Sequence, residues 1–191
     1  MTRIGKPVLW VLGLAAVALV YNLDAIVGRW KFERMCKNEG GPRFYEPVEM
    51  DVGWQVEGHD TYDYQWPFLF DHIAFVRFED MKGKRSDVTT DGYIGANQRR
   101  YIFSDVDETR QVRYSFRYHT EILSDDRFSK SQRLVTDLKT GKVVASFTKF
   151  GYSWTKPERM LLSMPTAVGC WDMQKDIDKF YRGINSTGSK K

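Results

Sequence analysis

The sequence predicts an α+β fold: an N-terminal membrane-anchor helix, an antiparallel sheet of about five to six strands including a C-terminal meander, and a closing C-terminal helix. Three observations predict it. An uncharged apolar run, PVLWVLGLAAVALVY, opens the chain at residues 7–21. Aromatic and apolar residues then alternate with polar ones in the middle of the chain, most clearly in VRYSFRYHTEI. Last, a helical segment, WDMQKDIDKFYRG, follows the second cysteine. At 191 residues, with 42% hydrophobic and 15% aromatic content, the chain has the material for one core plus an anchor.

The first element is read as a helix. A basic lead, MTRIGK, precedes the run, and residues 7–27 approach the roughly 20 apolar residues that a spanning helix needs. Residues 1–27 are therefore assigned to an uncleaved signal anchor, with Asn22 and Asp24 near one end; a secretory signal cleaved near Ala18 is the alternative. The helical pattern continues through NLDAIVGRWKFERM to a stop at Gly40 and Gly41. Lys and Arg lie on both flanks, so charge does not set the orientation.

Charge is distributed unevenly. Residues 1–37 carry six basic and two acidic side chains, which is the whole net charge of +4. The basic excess thus flanks the apolar segment, as at an anionic lipid surface, and nucleic acid is not an expected partner. Residues 38–97 are acidic and residues 98–156 basic, which is read as two solvated faces.

The body, residues 28–183, is read as an exported domain. RFYEPVEM is a short strand broken by Pro47, residues 52–66 are an irregular segment, and a strand covers about 72–79. MKGKRSDVTTDGY is read as a polar turn region, and YIGANQRRYIF as another strand with Gly95 as a bulge. In VRYSFRYHTEI, Tyr114, Phe116 and Tyr118 alternate with Arg113, Ser115, Arg117 and His119, the period of a half-buried strand. SQRLVTDL and KVVASFTKFGYSW flank a hairpin turn at Thr140-Gly141, which completes a three-stranded meander. Residues 184–191 are expected to be a disordered tail.

The two cysteines, Cys36 and Cys170, make one possible pair, and an export-like segment places them where a disulfide survives. Their bond would tie the end of the N-terminal helix to the C-terminal element; two buried thiols are the alternative. The apolar N-terminus, Cys-Lys-Asn-Glu-Gly-Gly at 36–41, Thr-Gly-Lys-Val at 140–143 and the late cysteine resemble a group of short, membrane-anchored proteobacterial proteins. The resemblance implies a bacterial envelope setting; together with the anchor it gives an expected single pass through the inner membrane with the C-terminal domain in the periplasm. It carries no activity.

Catalytic signatures are sparse. His59, Asp60, Asp63, Asp71 and His72 could be imagined as a metal site, but their spacing matches no ligand pattern, and no metal or cofactor is assigned. No G-x-S-x-G or P-loop occurs, and the acidic pairs Asp107-Glu108 and Asp125-Asp126 fall in turns. The stronger candidates are Trp54, Tyr62, Tyr64 and Trp66, as core or as a groove for a peptide, glycan or lipid, and Arg113, Arg117 and Arg133, if they share an outer sheet face. The function expected from these features is non-enzymatic: an accessory subunit binding another envelope component. A ligand-binding module is the second reading and a hydrolase using His59 or His72 the third.

Overall fold

A computed structural model describes residues 6–58, 63–70, 72–94, 98–123, 127–153, 167–170 and 173–188. Helix α1 spans Lys6–Glu39. Strands β1 (Gly41–Phe44), β2 (Val52–Glu57), β3 (Ile73–Glu79), β4 (Arg85–Ile94), β5 (Gln98–Ser104), β6 (Val112–Ile122), β7 (Phe128–Asp137), β8 (Val143–Ser153) and β9 (Ala167–Gly169) follow, then helix α2 (Met173–Gly188). Two 3-10 turns, Asp63–Gln65 and Pro67–Leu69, lie between β2 and β3.

The strands form one mixed sheet of nine, in the order β1-β8-β7-β6-β2-β3-β4-β5, with β9 also paired to β8. This corrects the expected five or six antiparallel strands. The central strand β2 runs parallel to both of its neighbours, β3 and β6. Its sequence was read as irregular because Gly53 and its polar residues blur the alternation. Nevertheless Trp54 is 1% exposed and packs against Phe70 and Tyr114, with ring centroids 5.1 and 5.3 Å away. Strand β4, read as a polar turn, hides for a different reason. Its core-facing Val88 is flanked by Ser86 and by a buried charge, Asp87, which projects to the other face and meets Arg77 of β3 directly. The guanidinium grips the carboxylate at 2.8 and 3.1 Å, and both groups are buried.

The meander β6-β7-β8 is antiparallel, as its alternation indicates. Its β7-β8 turn is closed by the Asp137 N–H donating to the Lys142 carbonyl at 2.9 Å. The Asp137 carboxylate also accepts the N–H of Lys139 at 2.7 Å, and Gly141 supplies a φ of +70°.

One face of the sheet holds the larger core: Trp54, Val56, Phe70, Val76, Val88, Phe116, Val135 and Phe147, closed by Phe180, Tyr181 and Ile184 of α2. Ile184 is buried and α2 runs to Gly188, so ordered helix extends past the expected start of the tail. A second cluster forms where α1 meets the sheet. Gly28, Phe32 and Cys36 recur every four residues, one stripe of a helix. Phe32 and Cys36 pack with Phe128, Phe150, Tyr152 and Cys170. A Cβ on Gly28 would collide with the Tyr152 hydroxyl, so glycine permits this approach.

α1 departs from an anchor over residues 7–27. Among the described residues, no helix is long and apolar enough to cross a membrane. Instead one helix of 34 residues runs from Lys6 to Glu39, and its charged C-terminal stretch belongs to the folded body. It ends where the Gly-Gly pair predicts: Gly41 takes φ +91° and the chain turns into β1. Cys36 and Cys170 stand at disulfide distance, Cα atoms 5.6 Å apart, within the range such a bond requires.

Two stability experiments follow. The bond closes a sequence separation of 134 residues. Replacing both cysteines by serine is expected to lower urea-unfolding stability by about 4–5 kcal/mol on the loop-entropy model. Asp87→Ala takes away the buried partner of Arg77 and leaves it the Asp107 carbonyl and the exposed Glu108 carboxylate at 3.6 Å, and is expected to cost about 3 kcal/mol in the same assay.

Candidate functional site: an arginine framed by aromatic rings

The register of the meander assembles the site. Tyr118 of β6 lies opposite Arg133 of β7, and Arg133 lies opposite Phe147 of β8. In the next row, two residues along, Thr120, Ser131 and Lys149 are paired in the same way. Residues directly opposite project to the same face, so these six form one patch. It is on the face that α2 covers, since Phe147 packs on Phe180 at 5.7 Å. Trp66 arrives from the connection between β2 and β3.

Arg133 is the centre of the patch and is only 9% exposed. Its guanidinium carbon lies 4.6 Å from the Trp66 ring centre, 5.6 Å from Tyr118 and 5.7 Å from Phe147. Its Nε is buried without a hydrogen-bond partner. The contacts described for Arg133 are these ring faces; it makes no ion pair with a described carboxylate. The Tyr181 hydroxyl is also buried without a partner. Burial pushes Tyr181 up to about 12, with the Arg133 charge opposing the shift. Tyr118 moves the other way. Hydrogen bonding to Thr120 lowers it most, with Ser131 and the charges of Arg133 and Lys149 adding to the effect against burial. A cavity of about 90 Å³ is lined by Tyr118, Ser131, Arg133, Phe147, Lys149 and Ile177.

The other sequence candidates go elsewhere. Trp54 is core. Tyr64 packs edge-on against Phe78, Tyr101 and Phe103. Tyr62 lies outside the described residues, as do His59, Asp60, Asp71, Gly95, Asp125 and Asp126. The three arginines do not share one face: Arg113 and Arg117 alternate with Tyr118 on β6, so they project opposite to Arg133. Each also has an acid. Arg113 bonds Asp137 at 2.9 Å and lies 3.6 Å from Glu49, while Arg117 pairs with Glu57.

A larger groove, of about 320 Å³, opens on the opposite face between α1, β1, β7 and β8. Its polar groups are largely satisfied within the chain. Arg43 donates to the Asn38 carbonyl at 2.6 Å, Gln132 donates to Thr148 at 3.2 Å, and Lys130 lies 3.4 Å from Glu121. It therefore offers a ligand less unspent hydrogen bonding than Arg133 does. His72 is exposed, with its Nδ1 3.9 Å from Asp51, a solvated pair. Among the described residues no group of three or more His, Cys, Asp or Glu side chains converges as a metal set.

Sequence reasoning singled out Trp66 and Arg133 but missed their partners Phe147, Ser131 and Lys149. The hairpin alone does not give it: counting outward from the 137–142 turn pairs Arg133 with Ser146, and a register shift between Val135 and Thr136 moves it opposite Phe147.

A buried cation without an anion does not stabilise a fold in proportion to its burial, because desolvation opposes ring attraction worth about 0.5–2 kcal/mol. Arg133→Met is therefore expected to leave the urea-unfolding stability within about 1 kcal/mol of wild type, or to raise it. Neither a protein-family model, nor a curated protein, nor a solved structure matches the chain.

Proposed function

We propose that the protein is a non-enzymatic interaction subunit of the bacterial envelope, with its sheet domain in an oxidising compartment, and that α1 joins it to a larger assembly. The observation that carries this reading is the apolar surface of α1. Trp10, Val11, Leu12, Val17, Ile26, Val27 and Trp30 are exposed, while Gly28, Phe32 and Cys36 face the sheet. Large contiguous apolar surface of this kind marks an interaction site. Consecutive exposed residues at 10–12 favour more than one contacting element, and an apolar helix of another envelope subunit has the complementary chemistry. The cysteine pair supports the compartment, since such bonds persist where the environment is oxidising.

A second reading, a ligand-binding module, is favoured by one specific observation: the guanidinium of Arg133 is buried, its Nε has no hydrogen-bond partner, and no described carboxylate pairs with it.

The test of the first reading is photocrosslinking in intact cells. A crosslinking residue replaces Trp10 or Ile26 in one set of cells and Lys82, in the β3-β4 turn, in the control. Mass spectrometry is expected to find one near-stoichiometric envelope protein at the two α1 positions and none at Lys82. Adducts to lipid alone at both α1 positions would overturn the reading.

A further inference from the structure

We infer that the pocket at Arg133 receives a carboxylate carried on a small apolar or aromatic group. This inference rests on the ligand-binding reading and names the ligand class. A guanidinium is charged at every accessible pH, and burying it without an anion is costly unless something occupies its donors. Trp66, Tyr118 and Phe147 supply π faces, which attract the charge but accept no strong hydrogen bond. The Nε–H remains without an acceptor. A carboxylate matches this donor set, because its two oxygens meet the planar fork of an arginine side by side.

Charge and size narrow the choice. Arg133 balances one negative charge. Lys149 also lines the cavity and has an interaction of its own, so Arg133 is the charge assigned to the ligand, and inorganic phosphate is the competing anion that the experiment must separate. At about 90 Å³ the cavity is well below the roughly 300–1,000 Å³ of sites that enclose drug-sized ligands. It has room for an acid group and a short stem. Ser131 and Tyr118 also line this space, with hydroxyls that already bond Thr120, and Tyr181 holds a hydroxyl without a partner in the field of Arg133. Phe147 and Ile177 give the stem an apolar wall. Such a carboxylate comes either from a free small acid or from the C-terminus of a peptide.

The experiment follows the Arg133 Nε–H resonance in full-length protein labelled with ¹⁵N-arginine, the signal being assigned by its absence from Arg133→Met. Benzoate, N-acetyl-phenylalanine, N-acetyl-phenylalanine amide and inorganic phosphate are titrated separately, with affinities from calorimetry. A carboxylate probe is expected to shift the resonance and the amide to leave it in place. Affinity is expected to fall at least tenfold in Arg133→Met and in Arg133→Lys, which keeps the charge and loses the fork. Tighter binding of N-acetyl-phenylalanine than of benzoate identifies a peptide terminus; the reverse identifies a free acid. Equal affinity in wild type and Arg133→Met overturns the assignment. Binding of phosphate but neither carboxylate also overturns it and leaves the ligand-binding reading standing. No shift with any probe, in protein whose urea midpoint shows it folded, overturns both.

Discussion

The register of the β6-β7-β8 meander is the constraint on which the site and much of the core depend. A shift of one residue between two strands moves every side chain to the other face. The turn at Asp137 guards against that shift. Burial alone would raise the Asp137 carboxyl, but the N–H groups of Lys139 and Thr140 and the Arg113 guanidinium outweigh it and hold the group below the ordinary carboxylate range. The carboxylate therefore stays charged and keeps its hydrogen bonds at neutral pH. The turn sets Thr136 opposite Val143, a one-residue shift follows between Val135 and Thr136, and beyond it Val135 meets Ala145 and Arg133 meets Phe147. The same count places Gln132 and Thr148 on the opposite face, bordering the groove beside α1.

The sheet manages its polar residues in two ways. Arg77 and Asp87 are opposite each other on β3 and β4 and satisfy one another, with the Asp107 carbonyl taking a further guanidinium donor at 2.8 Å. That network closes a part of the fold where the chain returns from β5 towards β6. Arg133 is handled otherwise. Aromatic rings surround it, and among the described residues no acid pairs with it. Two arginines of comparable burial thus differ in what the fold gives them, and the difference lies in the partner rather than in the residue type.

Legibility in the sequence followed the same division. Strands β3, β6 and β8 were readable because their inward residues are largely apolar or aromatic, and β7 because it flanks the Thr140-Gly141 turn, although Ser131 and Arg133 are on its inward face. β2 and β4 were not, because Gly53 and polar neighbours blur the one, and Val88 of the other stands between polar residues. β9 has three residues, too few to carry a pattern. The cysteine pair was legible from its number alone. The arginine site was half legible: Arg133 and Trp66 stood out as residue types, but placing them together needs the β6-β7-β8 register and the path of the chain between β2 and β3. The grouping of Arg133 with Arg113 and Arg117 failed on parity, since a strand's outward and inward residues differ by one step.

The position of the cysteine pair has a mechanical consequence. β1 begins at Gly41 and β9 ends at Gly169, so all nine strands lie inside the covalent ring closed by Cys36 and Cys170. Tension applied between α1 and α2 is carried across the sulfur bridge and does not run along the strands. A pull from either helix bypasses the sheet, which stays slack while the bridge is oxidised. On reduction the load path lengthens through every strand in turn, and the register that builds the Arg133 pocket becomes the part under strain.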